Sequence, residues 1–101
     1  MDLTRCTNIT ADGFRSVAKQ SKNLKELYIK ECRIVNETIS DISLTLHWLS
    51  KLDMRDCLLI STISDLYLGC PYLQILLVDG AEHLNGKILR ENSWKILNFA
   101  V

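Results

Sequence analysis

Four cysteines, at positions 6, 32, 57 and 70, and two histidines, at 47 and 83, are the side chains whose types could carry nucleophilic, redox or metal chemistry. Their spacing argues against all three. There is no C-x-x-C pair, so zinc binding and dithiol redox chemistry both lack their minimal signature. His47 precedes Trp48 at a predicted helix end, and His83 sits beside Glu82 in a loop; neither joins a recognisable nucleophile arrangement. The four glycines are dispersed and form no phosphate-cradling loop. The chain is therefore expected not to be an enzyme and to hold no metal or cofactor. What the cysteines carry is a period: the first three stand 26 and then 25 residues apart, as one equivalent position in successive structural units would. In a reducing compartment such thiols act as small buried apolar residues.

Written in register with the cysteines, the chain repeats itself. Leu24-x-x-Leu27-x-Ile29-x-x-Cys32-x-x-Val35 is followed by Leu49-x-x-Leu52-x-Met54-x-x-Cys57-x-x-Ile60, then by Leu73-x-x-Leu76-x-Val78-x-x-Ala81-x-x-Leu84. A partial copy, Met1-x-Leu3-x-x-Cys6-x-x-Ile9, precedes them, and Trp94-x-x-Leu97-x-Phe99 begins the pattern again. A single such line is common by chance in a leucine-rich chain; three in register are not.

The elements that must position these residues follow from the template. Its central segment alternates as a β-strand does, with Leu27 and Ile29, Leu52 and Met54, and Leu76 and Val78 pointing inward. The cysteine closes the turn after each strand, where a thiol can bond weakly to turn backbone; Ala81 takes that place in the fourth unit. Apolar residues at helical spacing predict a helix from Thr10 to Ser21 (Phe14, Val17, Ala18), with Thr10 as N-cap. Two more are predicted, from Glu37 to Leu46 (Ile39, Ile42, Leu46) and from Ser61 to Leu68 (Ile63, Leu66, Tyr67). Gly69 ends the third, and Pro71 prevents its resumption. Asn85-Gly86 signals a turn, after which only Lys87 to Asn92 could be helix. A unit with one buried face cannot fold singly. Stacking gives a parallel sheet on one side and helices on the other, a short curved solenoid with its sheet lining the concave wall. The units fall near 1–23, 24–48, 49–72 and 73–93, with a partial one at 94–101, all in a single domain. Both chain ends cut through a unit, so a fragment or short form that is marginally stable or self-associating is expected.

Hydrophobic residues make up 48% of the 101, ample for a core, while 12 basic and 12 acidic residues cancel. That balance removes the electrostatic case for nucleic acid or an anionic membrane as partner. The opening MDLTRCTNIT lacks the layout of a signal peptide, and the apolar stretch from Leu66 to Val78 is broken by Cys70-Pro71 and too short to span a bilayer. A cytoplasmic or nuclear location is expected.

Two segments, Leu3-Thr-Arg-Cys-Thr-Asn-Ile-Thr-Ala-Asp-Gly-Phe14 and Leu68-Gly-Cys-Pro-Tyr-Leu73, carry a more specific likeness. With them, the pattern resembles the cysteine-containing leucine-rich repeat of the F-box and leucine-rich-repeat protein family, over nearly the whole chain. The resemblance implies an α/β leucine-rich-repeat solenoid, a ribonuclease-inhibitor-like horseshoe arc with parallel strands on the concave face and helices on the convex face. It implies a protein-recognition module, the substrate-binding part of an SCF-type ubiquitin ligase receptor, holding a target protein on the concave face. No F-box segment lies within these residues, so the ligase adaptor would be bound only through a segment absent here. The same repeat in axonemal regulatory subunits implies the alternative, a structural scaffold subunit of a stable assembly. A third reading is an extracellular recognition domain glycosylated at the sequons of Asn8 and Asn36, which lie in post-strand loops compatible with exposure.

On the strands, residues between the inward positions face out of the sheet: Asp2 and Thr4; Glu26, Tyr28 and Lys30; Lys51, Asp53 and Arg55; Ile75, Leu77 and Asp79; Ile96 and Asn98. One expected row is Thr4, Lys30, Arg55, Asp79, in which adjacent Lys30 and Arg55 could accept an anion or splay apart in solvent, with Asp79 partly relieving Arg55. Another is Glu26, Lys51, Ile75, Ile96, with an exposed Glu26–Lys51 ion pair. Ile75, Leu77 and Ile96 form an apolar corner, a partner contact or an edge effect of the last units. Tyr28 brings large contact area at low entropy cost, the profile of an interface hot spot. The candidate protein-binding residues are thus Tyr28, Lys30, Lys51, Asp53, Arg55, Ile75, Leu77, Asp79 and Ile96. Trp48 and Trp94 are expected to cover apolar seams.

Overall fold

The structure, a computed structural model, describes residues 1–78 and 98–100. Alternation of inward and outward residues produces four short strands: β1 (Glu26–Tyr28), β2 (Lys51–Asp53), β3 (Ile75–Leu77) and β4 (Asn98–Ala100). They form one sheet in the order β1-β2-β3-β4, with every pairing parallel. Leu27 pairs with Leu52 and Leu52 with Leu76, and all three are wholly buried. The chain start continues the sheet beyond β1. Asp2 bridges to Tyr28, the Leu3 amide donates to the Tyr28 carbonyl (2.7 Å), and the Arg5 amide donates to that of Lys30 (2.9 Å).

Helices connect the strands: α1 (Ala11–Gln20), α2 (Asn36–Thr45) and α3 (Ser64–Gly69). Consecutive helices pack against one another, as consecutive strands do. Thr10 caps α1 as its sequence position predicts: its hydroxyl accepts from the Gly13 amide at 3.0 Å, and Phe14 and Ala18 point into the core. α3 starts three residues later than predicted. The Ser61 amide is taken by the Asn36 side chain (3.0 Å), and Thr62 Oγ1 accepts from the Ser64 amide (3.4 Å). Residues 61–63 are thereby held out of the helix, and Ile63 reaches the core from the capping position. The second unit also departs from the template. Val35 is the N-cap of α2, in extended conformation with its side chain 39% exposed, and Ile34 fills the interior instead. Adjacent residues of an extended segment face opposite ways, so only one of the two can enter the core.

The turn after each strand has a fixed internal geometry. Arg5, Glu31 and Asp56 have φ of 64°, 59° and 58°, and each immediately precedes a template cysteine. A left-handed non-glycine residue costs about 1–2 kcal/mol. Offsetting bonds come from the cysteines: the amides of Cys6 and Cys32 donate to the carbonyls of Leu3 (3.0 Å) and Ile29 (3.3 Å). The thiols then reach back one unit, Cys32 Sγ donating to Leu3 O at 2.9 Å and Cys57 Sγ to Ile29 O at 3.0 Å. The expected thiol-to-turn hydrogen bond is therefore present, and it joins neighbouring units. Glycine stands in the corresponding place of the fourth unit, at Gly80, outside the described residues.

Gly69 does something other than terminate a helix through a left-handed turn. It is the last helical residue, and a β-carbon there would collide with the carbonyl and hydroxyl oxygens of Ser43 on α2. Glycine at this point sets how closely α3 approaches α2. Gly69→Ala is expected to lower stability by about 2 kcal/mol by forcing these helices apart, read as the shift in a denaturant midpoint. Asp56→Gly, at an exposed turn position, is expected to raise stability by about 0.5–1 kcal/mol, the left-handed strain relieved less the added chain entropy. An unchanged or lower midpoint would show that the turn carries no such strain.

Candidate functional site

The face of the sheet turned away from the helices gathers most of the residues singled out in the sequence. Its rows are set by strand register. Glu26, Lys51 and Ile75 form one; Tyr28, Asp53 and Leu77 form the next, with Asp2 beside Tyr28, and in β4 Asn98 and Ala100 stand in register with Ile75 and Leu77. Lys30 and Arg55 lie just past the strand ends, where the Glu31 amide donates to the Arg55 carbonyl at 2.9 Å. The expected placement of Ile96 beside Ile75 is corrected, since Asn98 pairs with Ile75 and Phe99 with Leu76. β4 is thus displaced by two residues from the template register. Ile96 and Asp79, with the proposed relief of Arg55 by Asp79, lie outside the described residues.

Charges on this face are satisfied locally. The Glu26–Lys51 ion pair does not form. Instead the Tyr28 hydroxyl donates to Glu26 Oε1 at 2.5 Å, and Lys51 Nζ stands 5.2 Å from the centre of the Tyr28 ring, a cation–π geometry. Acceptance by Glu26 and partial burial hold the Tyr28 hydroxyl above its ordinary 10.0, against the pull of Lys51. Tyr28 is half-buried rather than freely exposed.

Asp53 departs furthest from expectation, for it is only 3% exposed. Arg55, two residues along the same strand face, folds back over it with Nε 2.9 Å from Oδ1 and Nη2 2.8 Å from Oδ2, and the Arg55 amide adds a bond at 3.2 Å. Burial pushes the Asp53 carboxyl up. The side-chain and backbone hydrogen bonds of Arg55, with the charges of Arg55 and Lys30, outweigh it and hold the group below its ordinary 3.8. The charge of Arg55 is therefore paired within the protein, by Asp53. The D-x-R spacing was visible in the sequence, since residues two apart share a strand face.

Ile75 and Leu77 are half-exposed beside Lys51 and Asp53. This apolar pair borders a polar cluster whose members already hold one another in place.

A second surface escaped the sequence reading. Leu44 and Leu68 are 74% and 83% exposed near the C-terminal ends of α2 and α3. Trp48 and Tyr72, just beyond those helices, stack with ring centres 5.2 Å apart and planes 6° from parallel. Trp48 covers a neighbouring ring and stays half-exposed instead of sealing a core seam. Each pair is 24 residues apart, a template period that would have revealed the edge. His47 lies in the same region, exposed, with Nδ1 2.7 Å from the Gly69 carbonyl; a carbonyl only accepts, so Nδ1 carries the hydrogen.

The sequons fare unequally. Asn8 is exposed, but Asn36 begins α2 and its amide is engaged at both ends with Ser61, at 2.9 Å and 3.0 Å, while Thr38 of that sequon is buried. A glycan on Asn36 would cost the Nδ2 bond. Burial lifts the thiols of Cys57 and Cys70 to about 11, so neither supplies a thiolate at neutral pH. No helix among the described residues is long and apolar enough to cross a membrane.

The Asp53–Arg55 clamp has a pH signature. A carboxyl depressed in the folded state contributes stability that is present above its ordinary 3.8 and is lost as pH falls through the folded value. Asp53→Asn is expected to cost roughly 1–2 kcal/mol at neutral pH, a difference that shrinks in acid below 3.8. Urea unfolding of both proteins across that range checks it; a pH-independent gap would mean that the charge of Asp53 contributes nothing. In comparison with known proteins, no protein-family model and no curated protein matches this chain.

Proposed function

We propose that this chain is an arc of a leucine-rich-repeat solenoid, with its sheet on the concave wall and its helices on the convex one, and that its sheet face recognises a protein. Support for the arc comes from the unit-by-unit equivalence of strands, left-handed turns and thiol-to-carbonyl bonds. The observation that carries the function is the half-exposed pair Ile75 and Leu77 bordering a pre-bonded cluster of Tyr28, Glu26, Lys51, Asp53 and Arg55. Side chains already fixed in the free protein lose little entropy on binding, and an apolar patch beside them supplies desolvation energy. Lys30 belongs to the rim of this site, and Asp79 would extend it along the unit of Ile75 and Leu77.

In this reading the protein is the substrate-binding part of an SCF-type ubiquitin ligase receptor. Its target sits on the sheet face, and the ligase adaptor is bound by a segment outside these residues. The balanced charge favours a protein over nucleic acid or membrane. The unpaired, buried thiols of Cys32, Cys57 and Cys70 fit a reducing cytoplasmic or nuclear setting. The exposed edge of Leu44, Leu68, Trp48 and Tyr72 favours a second reading, a scaffold subunit held in a stable assembly through its helix ends.

The two separate by face. In affinity capture with the longest natural form of the protein, Leu77→Asp is expected to weaken target retention at least about tenfold while leaving the ligase adaptor bound. Trp48→Ala should leave both unchanged. Loss of the partner with Trp48→Ala but not with Leu77→Asp would replace the recognition reading with the scaffold one. Absence of a ligase adaptor from the captured material would remove the ubiquitin assignment.

A further inference from the structure

Of the three template cysteines, Cys6 is exposed while Cys32 and Cys57 are buried. The Cys32 thiol points across to the first unit, donating to Leu3 O at 2.9 Å, and the Cys6 amide donates to that same oxygen at 3.0 Å. The sulfur of Cys32 and the backbone of Cys6 are therefore immediate neighbours. One residue earlier, the Arg5 amide bonds to the Lys30 carbonyl at 2.9 Å, so the two cysteines sit on chain segments at strand-ladder separation. Such separation, about 4.8 Å, falls within the roughly 4.4–6.8 Å between α-carbons that a disulfide requires. Cys57 stands in the same relation to Cys32, but both are buried, whereas Cys6 is exposed.

We propose that Cys6 and Cys32 are a convertible thiol pair, closed into a disulfide by exchange with a small-molecule disulfide of the glutathione type. The exposed Cys6 thiolate attacks one sulfur of oxidised glutathione. The glutathione disulfide breaks, and one glutathione leaves as a thiol with the proton that Cys6 gave up. The Cys32 sulfur then attacks the Cys6 sulfur, the Cys6–glutathione bond breaks, and the second glutathione departs with the Cys32 proton. Two protein thiols are oxidised, and one glutathione disulfide is reduced to two thiols. Cys32 already aims toward the first unit, so only the exposed Cys6 side chain must change rotamer. Burial holds the Cys32 thiol above its ordinary 9.0, which slows its attack, and closure passes through the Cys6 adduct. Closure exchanges the bond from Cys32 to Leu3 O for a covalent link across the two turns.

The test treats the longest natural form of the folded protein with oxidised glutathione, blocks the remaining thiols, and maps the peptides without reduction. A Cys6 adduct that rises and then falls is expected, giving a Cys6–Cys32 linkage about 2 Da lighter than the reduced protein, with Cys57 and Cys70 still blockable. Cys32→Ser should stop at the adduct. Cys6→Ser, a change at an exposed site that leaves the fold intact by circular dichroism, should give neither product. A wild-type adduct that never closes, a linkage between any other pair, or four thiols left unreacted would each overturn the proposal.

Discussion

Leu27, Leu52 and Leu76 lie one behind another across three parallel strands, and the rest of the molecule follows from that layering. Side chains on a strand alternate faces with a period of two, so a one-residue slip of β2 would carry Leu52 out to solvent and bring Lys51 or Asp53 in. Each leucine contributes roughly 2 kcal/mol by leaving water, but only with a layer on each side of it. The same register aligns the turns, so that the Cys32 and Cys57 thiols each meet a carbonyl of the unit before. It also brings the helices side by side, where Gly69 can lie against Ser43.

Polar groups in this architecture serve spacing more than surface. Ser50 Oγ donates to the Lys25 carbonyl at 3.0 Å, Asn36 grips Ser61 at both ends of its amide, and Ser40 donates to Asp65 at 2.9 Å. Each bond joins residues 25 apart, and so ties one unit to the next at the same structural level. Arg15 does this on the helical side, reaching Asp12 on its own helix and Glu37 and Asp41 on α2. Those contacts offset the burial of Asp41, whose Oδ2 has no hydrogen bond to another protein group. On the sheet face the Asp53–Arg55 clamp pairs its charges within a single unit.

The sequence is most legible where burial alone decides. The period of the leucines foretold the parallel register of β1 to β3, and the cysteine spacing foretold the thiol-to-backbone bonds, because both depend on an interior that admits one size of side chain. Legibility fails where local polar competition decides. The start of α3 was misplaced because Asn36, a unit away, claims the Ser61 amide. Val35 and Ile34 exchanged roles because the cap of α2 fixes which of two adjacent apolar residues can turn inward. Asp53 reads as a surface charge although its partner is two residues away, since spacing gives proximity but not the rotamer that closes a clamp. In β4 the turn and strand signals left the alternation intact but shifted it by an even number of residues, a change to which the alternation pattern is blind.

The thiol-to-carbonyl bonds run one way only, each unit giving its hydrogen to the unit before it. Backbone bonds between units run both ways, but the thiols of Cys32 and Cys57 each donate to the preceding unit, so the stack has a direction at this position. It can lengthen head-to-tail by insertion of a further copy, which finds a waiting carbonyl on one side and offers its own on the other. The direction of the stack is thus carried by the chemistry of a single cysteine position.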